Sequence, residues 1–264
     1  MTTPWEGAVY VTFEDIRTFG VVGRAIVGEA EADGSEVPLG SLHDVYVDTR
    51  DWRITWLVLE AGSWLASNRV LIGTDHRVAF DVPGRRLVTD LTRYDLETAE
   101  SASSVRTLSD QHSGEVNRRG DGDVLPTDRS GGVSAGIGAA DTALGPDAGA
   151  LPPSEEERHL QSASELVGYV VSGRDAEVGP VTDLLIDTDS PAVAWLSVGT
   201  GSWLAGREVV IRPEWTAEVS WSERRVSVEL SREQVRDAPP LDGLEGLDRA
   251  YASALARFYR FPIR

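Results

Sequence analysis

Short runs of β-branched and aromatic residues, separated by turn-formers, dominate the pattern of apolar and polar positions. VYVD, ITWLVLE and RVLI come first, and LLID, AVAWLSV and EVVI come later. Bounded by Asp, Thr, Gly and Ser, these runs read as strands. Further on, VAFDVPGRRLVTDL and AEVSWSERRVSVEL each read as strand, turn, strand, with alternation at period two in VSVEL. Five or six strands in about 75 residues is the spacing of a small β-barrel, whose closure would remove exposed strand edges.

The runs come in pairs because the sequence repeats. GSWLA stands at Gly62 to Ala66 and again at Gly201 to Ala205, and the same offset of 139 aligns Leu42–Glu97 with Val181–Arg236 without a gap. Identical pairs include Asp44 and Asp183, Asp48 and Asp187, Trp56 and Trp195, Arg85 and Arg224, and Leu91 and Leu230. Upstream, Val22-Gly23 matches Val167-Gly168 at an offset of 145, which gives the first copy six extra residues around GEAEADGSE. An insertion of that size belongs in a surface loop.

From Ala99 to His159 the composition shifts to Gly, Ser, Ala, Asp and Pro with no sustained period. Such a segment buries too little apolar surface to offset its chain entropy and predicts a disordered acidic linker. In the tail, Leu244, Leu247, Tyr251, Leu255 and Phe258 recur at intervals of three and four, one face of an amphipathic helix with Asp242 as cap and Glu245 as its capping-box partner. The expected fold class is therefore mainly β: barrels over 1–98 and 160–240, a flexible linker over 99–159, and a C-terminal α-helix over 241–264. The barrels either hang apart on the tether or pack on each other, in cis or as a dimer, with the helix sealing the contact.

Charge and composition narrow the chemistry. Forty-three acidic against twenty-five basic residues leave a formal charge of -18, a field that repels nucleic acid and anionic lipid. There is no cysteine, which excludes thiol nucleophiles, disulfides and cysteine-bearing metal sites. Every basic residue is arginine, which excludes Schiff-base amines and Walker-type phosphate loops. No apolar run approaches the roughly 20 residues of a bilayer span, and the first residues lack a basic region followed by an apolar stretch, so the expectation is a soluble cytoplasmic protein.

The second copy carries a Glu165-Leu166-Val167-Gly168-Tyr169 opening, then Gly179-Pro180-Val181-Thr182-Asp183, the Gly201-Ser202-Trp203-Leu204 turn with its VVI strand, and the exit SREQVRDAP. On these features it resembles the PRC-barrel domain, the small β-barrel shared by the cytoplasmic part of the photosynthetic reaction-centre H subunit and the C-terminal part of the ribosome maturation factor RimM. The first copy keeps Gly40, Asp44, GSWL and RVLI but departs in its opening loop and its TRYDLETA exit. The resemblance implies a bacterial tandem PRC-barrel protein, a non-catalytic adaptor that binds a protein partner. The alternative it implies is an ion- or ligand-binding accessory protein, related to the H subunit in electron transfer or proton handling.

Candidate site residues follow from the repeat. Asp44 and Asp48, with Asp183 and Asp187, form a D-x-x-x-D pair in each copy; on a strand, positions four apart face the same way and offer two carboxylates to a cation. The competing reading makes the second Asp a hairpin cap and leaves the first at a strand edge, solvated or paired with arginine. His43, His76, His112 and His159 show no metal-ligand spacing, so neither catalytic nor cofactor-binding residues are assigned. Gly136-Ile137-Gly138-Ala139-Ala140 mimics half a dinucleotide fingerprint but follows no strand. Trp64 and Trp203, beside repeated glycine turns, are packing residues or partner anchors, whereas the unrepeated Trp52, Trp215 and Trp221 suit divergent surface use. Self-association through the barrels or the tail helix is the further partner expectation.

Overall fold

The computed structural model describes residues 10–24, 36–62, 69–74, 76–99, 159–241 and 246–260. The interior of the linker, Trp64, His112, Asp242, Glu245 and the 136–140 glycine run therefore lie outside the described residues.

The first half runs β1 (Tyr10–Thr12), α1 (Phe13–Ile16), β2 (Gly20–Arg24), β3 (Glu36–Asp48), β4 (Arg53–Ala61), β5 (Arg69–Gly73), β6 (Val78–Asp81), β7 (Arg86–Thr89) and α2 (Arg93–Thr98). The second half traces the same path: β8 (Leu160–Ser162), α3 (Ala163–Leu166), β9 (Val170–Ser172), β10 (Glu177–Asp187), β11 (Ala192–Gly199), β12 (Glu208–Ile211), β13 (Thr216–Ser220), β14 (Arg225–Val228) and α4 (Arg232–Asp237). A final helix, α5, spans Arg249–Tyr259.

The expected pair of closed barrels is not what the ladders form. Among the described residues the fourteen strands make one sheet, along the path β13-β14-β9-β10-β11-β4-β3-β2-β7-β6, with β1 on β10, β12 on β11, β5 on β4 and β8 on β3. Among these described strands neither half closes on itself, because β12 does not pair with β13 and β5 does not pair with β6. In the second half Pro213 opens a 3-10 turn between those two strands, and a proline has no N–H to continue a ladder.

One core serves both halves. Val45, Leu57 and Ile72 on one side and Leu184, Leu196 and Ile211 on the other are all buried within a single continuous apolar cluster. The repeated glycines Gly40 and Gly179 both sit at φ +153, where a Cβ would come within 2.2 Å of the Glu60 carbonyl oxygen and 1.8 Å of that of Gly199. Only glycine admits so close a backbone crossing.

Strand registers also correct the upstream alignment. Gly20 pairs with Ser41 and Arg86 as Val170 pairs with Pro180 and Arg225, so the openings match at an offset of 150 rather than 145. Gly23 then corresponds to Gly173, and a Cβ on either would strike the equivalent carbonyl, that of Leu91 or Leu230. The first half is consequently eleven residues longer from β2 to β3, counted from Gly23 to Gly40 against Gly173 to Gly179, not six. The Val-Gly dipeptides match in letters alone; the structural equivalence lies in the backbone crossing.

Candidate functional site

The two halves are joined by reciprocal exchange. β1, at the start of the first half, pairs antiparallel with β10 of the second through Tyr10↔Asp187, Val11↔Ile186 and Thr12↔Leu185. β8, at the start of the second half, pairs with β3 of the first through Asp48↔Leu160, Val47↔Gln161 and Tyr46↔Ser162. Each exchanged strand runs straight into a one-turn helix whose cap is a hydroxyl residue, Thr12 for α1 and Ser162 for α3. Threonine and serine suit this place because an extended backbone and a short acceptor satisfy a free N–H of the first turn.

The repeated first aspartates receive these helix starts. Asp183 Oδ1 accepts hydrogen bonds from the Phe13 and Glu14 N–H groups at 3.1 and 3.4 Å and from its neighbour Leu184 N–H at 2.7 Å. Asp44 accepts from Ser162 Oγ at 2.5 Å, Ser164 N–H at 3.2 Å and Val45 N–H at 2.8 Å. A carboxylate at a helix N-terminus satisfies orphan donors and meets the positive end of the peptide dipoles. Burial pushes the Asp44 carboxyl above the usual range, although its three donors pull the other way. Burial likewise raises Asp183, against the N–H groups of Leu184, Glu14 and Phe13. Neither aspartate is at a solvated edge or paired with arginine.

The second aspartates cap hairpins. Asp48 accepts from the backbone N–H of Arg50 at 2.9 Å and forms a bidentate pair with its guanidinium, and Asp187 accepts from the N–H groups of Asp189 and Ser190 at 2.8 and 3.2 Å. Burial works against the Asp48 carboxylate, yet the hydrogen bonds and charge of Arg50 outweigh it and hold its pKa below the ordinary value. Asp44 and Asp48 do share a face of β3, but four residues along a strand separate their backbones by about 13 Å. The two members of a pair are thus too far apart to grip one ion together. Among the described residues no group of three or more His, Asp or Glu side chains is placed to hold a metal ion.

The tryptophans divide differently from the expectation of surface use. Trp52 is only 4% exposed and lies at the junction, where its carbonyl accepts from Val193 N–H at 2.8 Å beside the Arg53↔Ala192 bridge. It occupies the left-handed region, φ 61, in the hairpin that Asp48 caps. Trp215 is equally buried, edge-on to Trp195 at 6.3 Å and to Tyr259 at 5.1 Å. Trp203 is half-buried: its Nε1 donates to the Val178 carbonyl at 2.8 Å and the Arg232 guanidinium lies 4.2 Å over its ring, which pins the Gly201 turn. Trp221 is half-buried in the turn between β13 and β14. Of the tryptophan anchors, then, Trp203 and Trp221 retain accessible surface, while Trp52 and Trp215 belong to the core.

Among the described residues no histidine belongs to a group of three or more His, Asp or Glu placed to hold a metal ion. His43 lies 3.9 Å from Glu60 and the exposed His76 lies 4.0 Å from Asp90. His159, expected in the linker, instead precedes β8, and its carbonyl accepts from Thr49 N–H at 3.0 Å. The tail helix is capped by Asp248, whose carboxylate accepts from Tyr251 N–H at 2.7 Å. Its buried face runs through Leu255, Ala256 and Tyr259, whereas Phe258 is 39% exposed, because the i, i+4 row from Tyr251 leads to Tyr259.

A model of the PRC-barrel domain family matches residues 160–235, from the start of β8 into α4. The match lies wholly in the second half and covers under a third of the chain. Comparison with curated proteins gave no match. No helix among the described residues is long and apolar enough to cross a membrane.

Proposed function

We propose that the chain is a non-catalytic adaptor built from two PRC-type modules, the matched domain at 160–235 and a diverged counterpart in the first half, and that it acts in the cytoplasm by holding segments of a protein partner. One observation carries this reading. The same receiving edge, β3 in one half and β10 in the other, holds a strand followed by a helix start that comes from elsewhere in the sequence. A backbone ladder supplies affinity and a buried carboxylate supplies register, which is the physics of strand addition used by peptide-binding modules. Module and ligand are in this case fused in one chain. Among the described residues β12 and β13 each have one ladder partner, β11 and β14, and the half-buried Trp203 and Trp221 stand in the turns next to them along the chain. Aromatic side chains beside an open edge suit a partner strand whose alternate residues need pockets.

The test is proximity labelling with the full chain in the cell that makes it, compared with Trp221→Ala and with a proline at Ala217 in β13. The adaptor reading expects a discrete protein set enriched with the wild-type chain and depleted at least several-fold in both variants while their melting temperatures hold. Equal labelling by all three chains, or no enrichment over a free-label control, overturns it.

A further inference from the structure

The contacts that join the halves have a property that extends beyond one molecule. They comprise the β1–β10 and β8–β3 ladders, the helix starts on Asp183 and Asp44, and the short β4–β11 bridge at Arg53↔Ala192. Every one of them pairs a residue of one half with a residue of the other. The covalent link between the halves runs from Ala99 to His159, a separation of 60 residues. A second molecule offers the same β10 groove to β1 and the same β3 groove to β8, with the same aspartates at the same places. Nothing in the interface geometry distinguishes a half of the same molecule from a half of another.

We propose that the partner fitted by this interface is a second copy of the chain, and that two molecules exchange halves to form a closed dimer. The first half of each seats on the second half of the other, so the dimer contains two half-pairs, each with the contacts of the monomer. Because the exchange is reciprocal, both receiving grooves fill and the assembly closes at two copies instead of growing into a fibre. The choice between monomer and dimer is then one of concentration. A connection of that length holds one half near the other at an effective concentration of about a millimolar or less, so intermolecular pairing competes once folding takes place at comparable chain concentrations.

The experiment uses the full chain with a site-specific protease sequence inserted after Gly132, refolded from urea at about 5 and about 500 micromolar and weighed by light scattering. At the lower concentration the expected species has the chain mass of 28.6 kDa. At the higher one a species of twice that mass is expected, its fraction up at least tenfold and its return to monomer slow on dilution. Cleavage of the isolated dimer is the discriminating step: exchanged halves fall apart into particles of monomer mass that contain both fragments. Monomer alone at both concentrations overturns the proposal, and so does a dimer that keeps its doubled mass after complete cleavage, which would be held through another surface.

Discussion

The two halves trace one path but finish their outer faces differently. In the first, Tyr46, Val58, Leu71 and Leu160 form a small cluster of their own, with Trp56 only partly buried against it. In the second, Trp195 is 1% exposed and leads through Trp215 to Tyr259 of α5, so the outer face merges with the main core. The position equivalent to Trp215 is His76 in the first half. Asp44 and Asp183, and Gly40 and Gly179, do the same work in both halves, presenting a carboxylate to the other half or passing the backbone across, whereas the equally identical Trp56 and Trp195 differ in burial. What differs is set by whichever element lies on top. Aromatic residues in a repeat therefore report the local cover, whereas repeated glycines and aspartates report the shared joint.

The largest expected effect breaks that joint. Trp52 has no aromatic counterpart, since its repeat position is Pro191. Trp52→Ala empties a buried site at the junction and should cost about 3–5 kcal/mol in urea unfolding, as aromatic deletions from cores do. Pro191→Ala keeps the carbonyl that accepts from Ile54 N–H at 3.0 Å and should cost about 1 kcal/mol or less. Comparable losses in the two variants would show that the junction does not depend on the tryptophan.

Next comes the contrast between the receiving aspartates. Asp44 is 7% exposed, and its removal strands Ser162 Oγ together with two backbone N–H groups, so Asp44→Ala should cost about 2–3 kcal/mol. Asp183 is less buried, and water can reach the freed donors; Asp183→Ala should cost about 1 kcal/mol. The reverse order, measured in the same denaturant series, would refute the claim that burial sets the worth of each cap. Smaller still is Tyr259→Phe. The Tyr259 hydroxyl is buried with no hydrogen-bond partner among the described residues, so its deletion should leave the melting temperature unchanged or raise it, by up to about 1 kcal/mol of stability. A clear loss would point to a bound water at that hydroxyl.

Much of this architecture was legible in the residues. Period-two runs gave the strands, the offset of 139 paired them, and Asp48-Thr49 and Asp187-Thr188 marked the hairpins that their aspartates cap. The exchange between halves was not legible, for a physical reason. β1 and β8 are three residues each and gain their stability from a partner more than a hundred residues away. No local pattern announces such pairing; the nearest signal was a serine or threonine before an acid-containing turn, Thr12 to Asp15 and Ser162 to Glu165. For the same reason the D-x-x-x-D pairs suggested joint chelation. Spacing showed the shared face of the strand but not the helix that arrives to occupy Asp44.

The finest distinction between the halves is in pH dependence. Asp44 and Asp183 both have carboxyl groups raised by burial, so the folded chain holds their protons more tightly than the unfolded chain does. A raised folded pKa gives stability that is fully present below the unfolded value, near 3.9, and is lost as pH climbs through the folded value. Asp48 runs the opposite way: its lowered pKa contributes stability above the unfolded value, lost as pH falls through the folded one. Between pH 7 and about 4.5 the Asp48 contribution is therefore still intact, and the raised pair alone should tilt the curve upward as acid is added. Asp44→Asn keeps an acceptor for the helix start but carries no titrating charge. Its stability relative to wild type should be highest at pH 7 and should decline toward pH 4.5, as wild type alone gains from protonation. Asp183→Asn should show the same slope in smaller measure because its site is more open. Urea midpoints at three pH values decide the matter, and parallel curves for wild type and Asp44→Asn would mean that the donors, not the burial, govern that carboxyl.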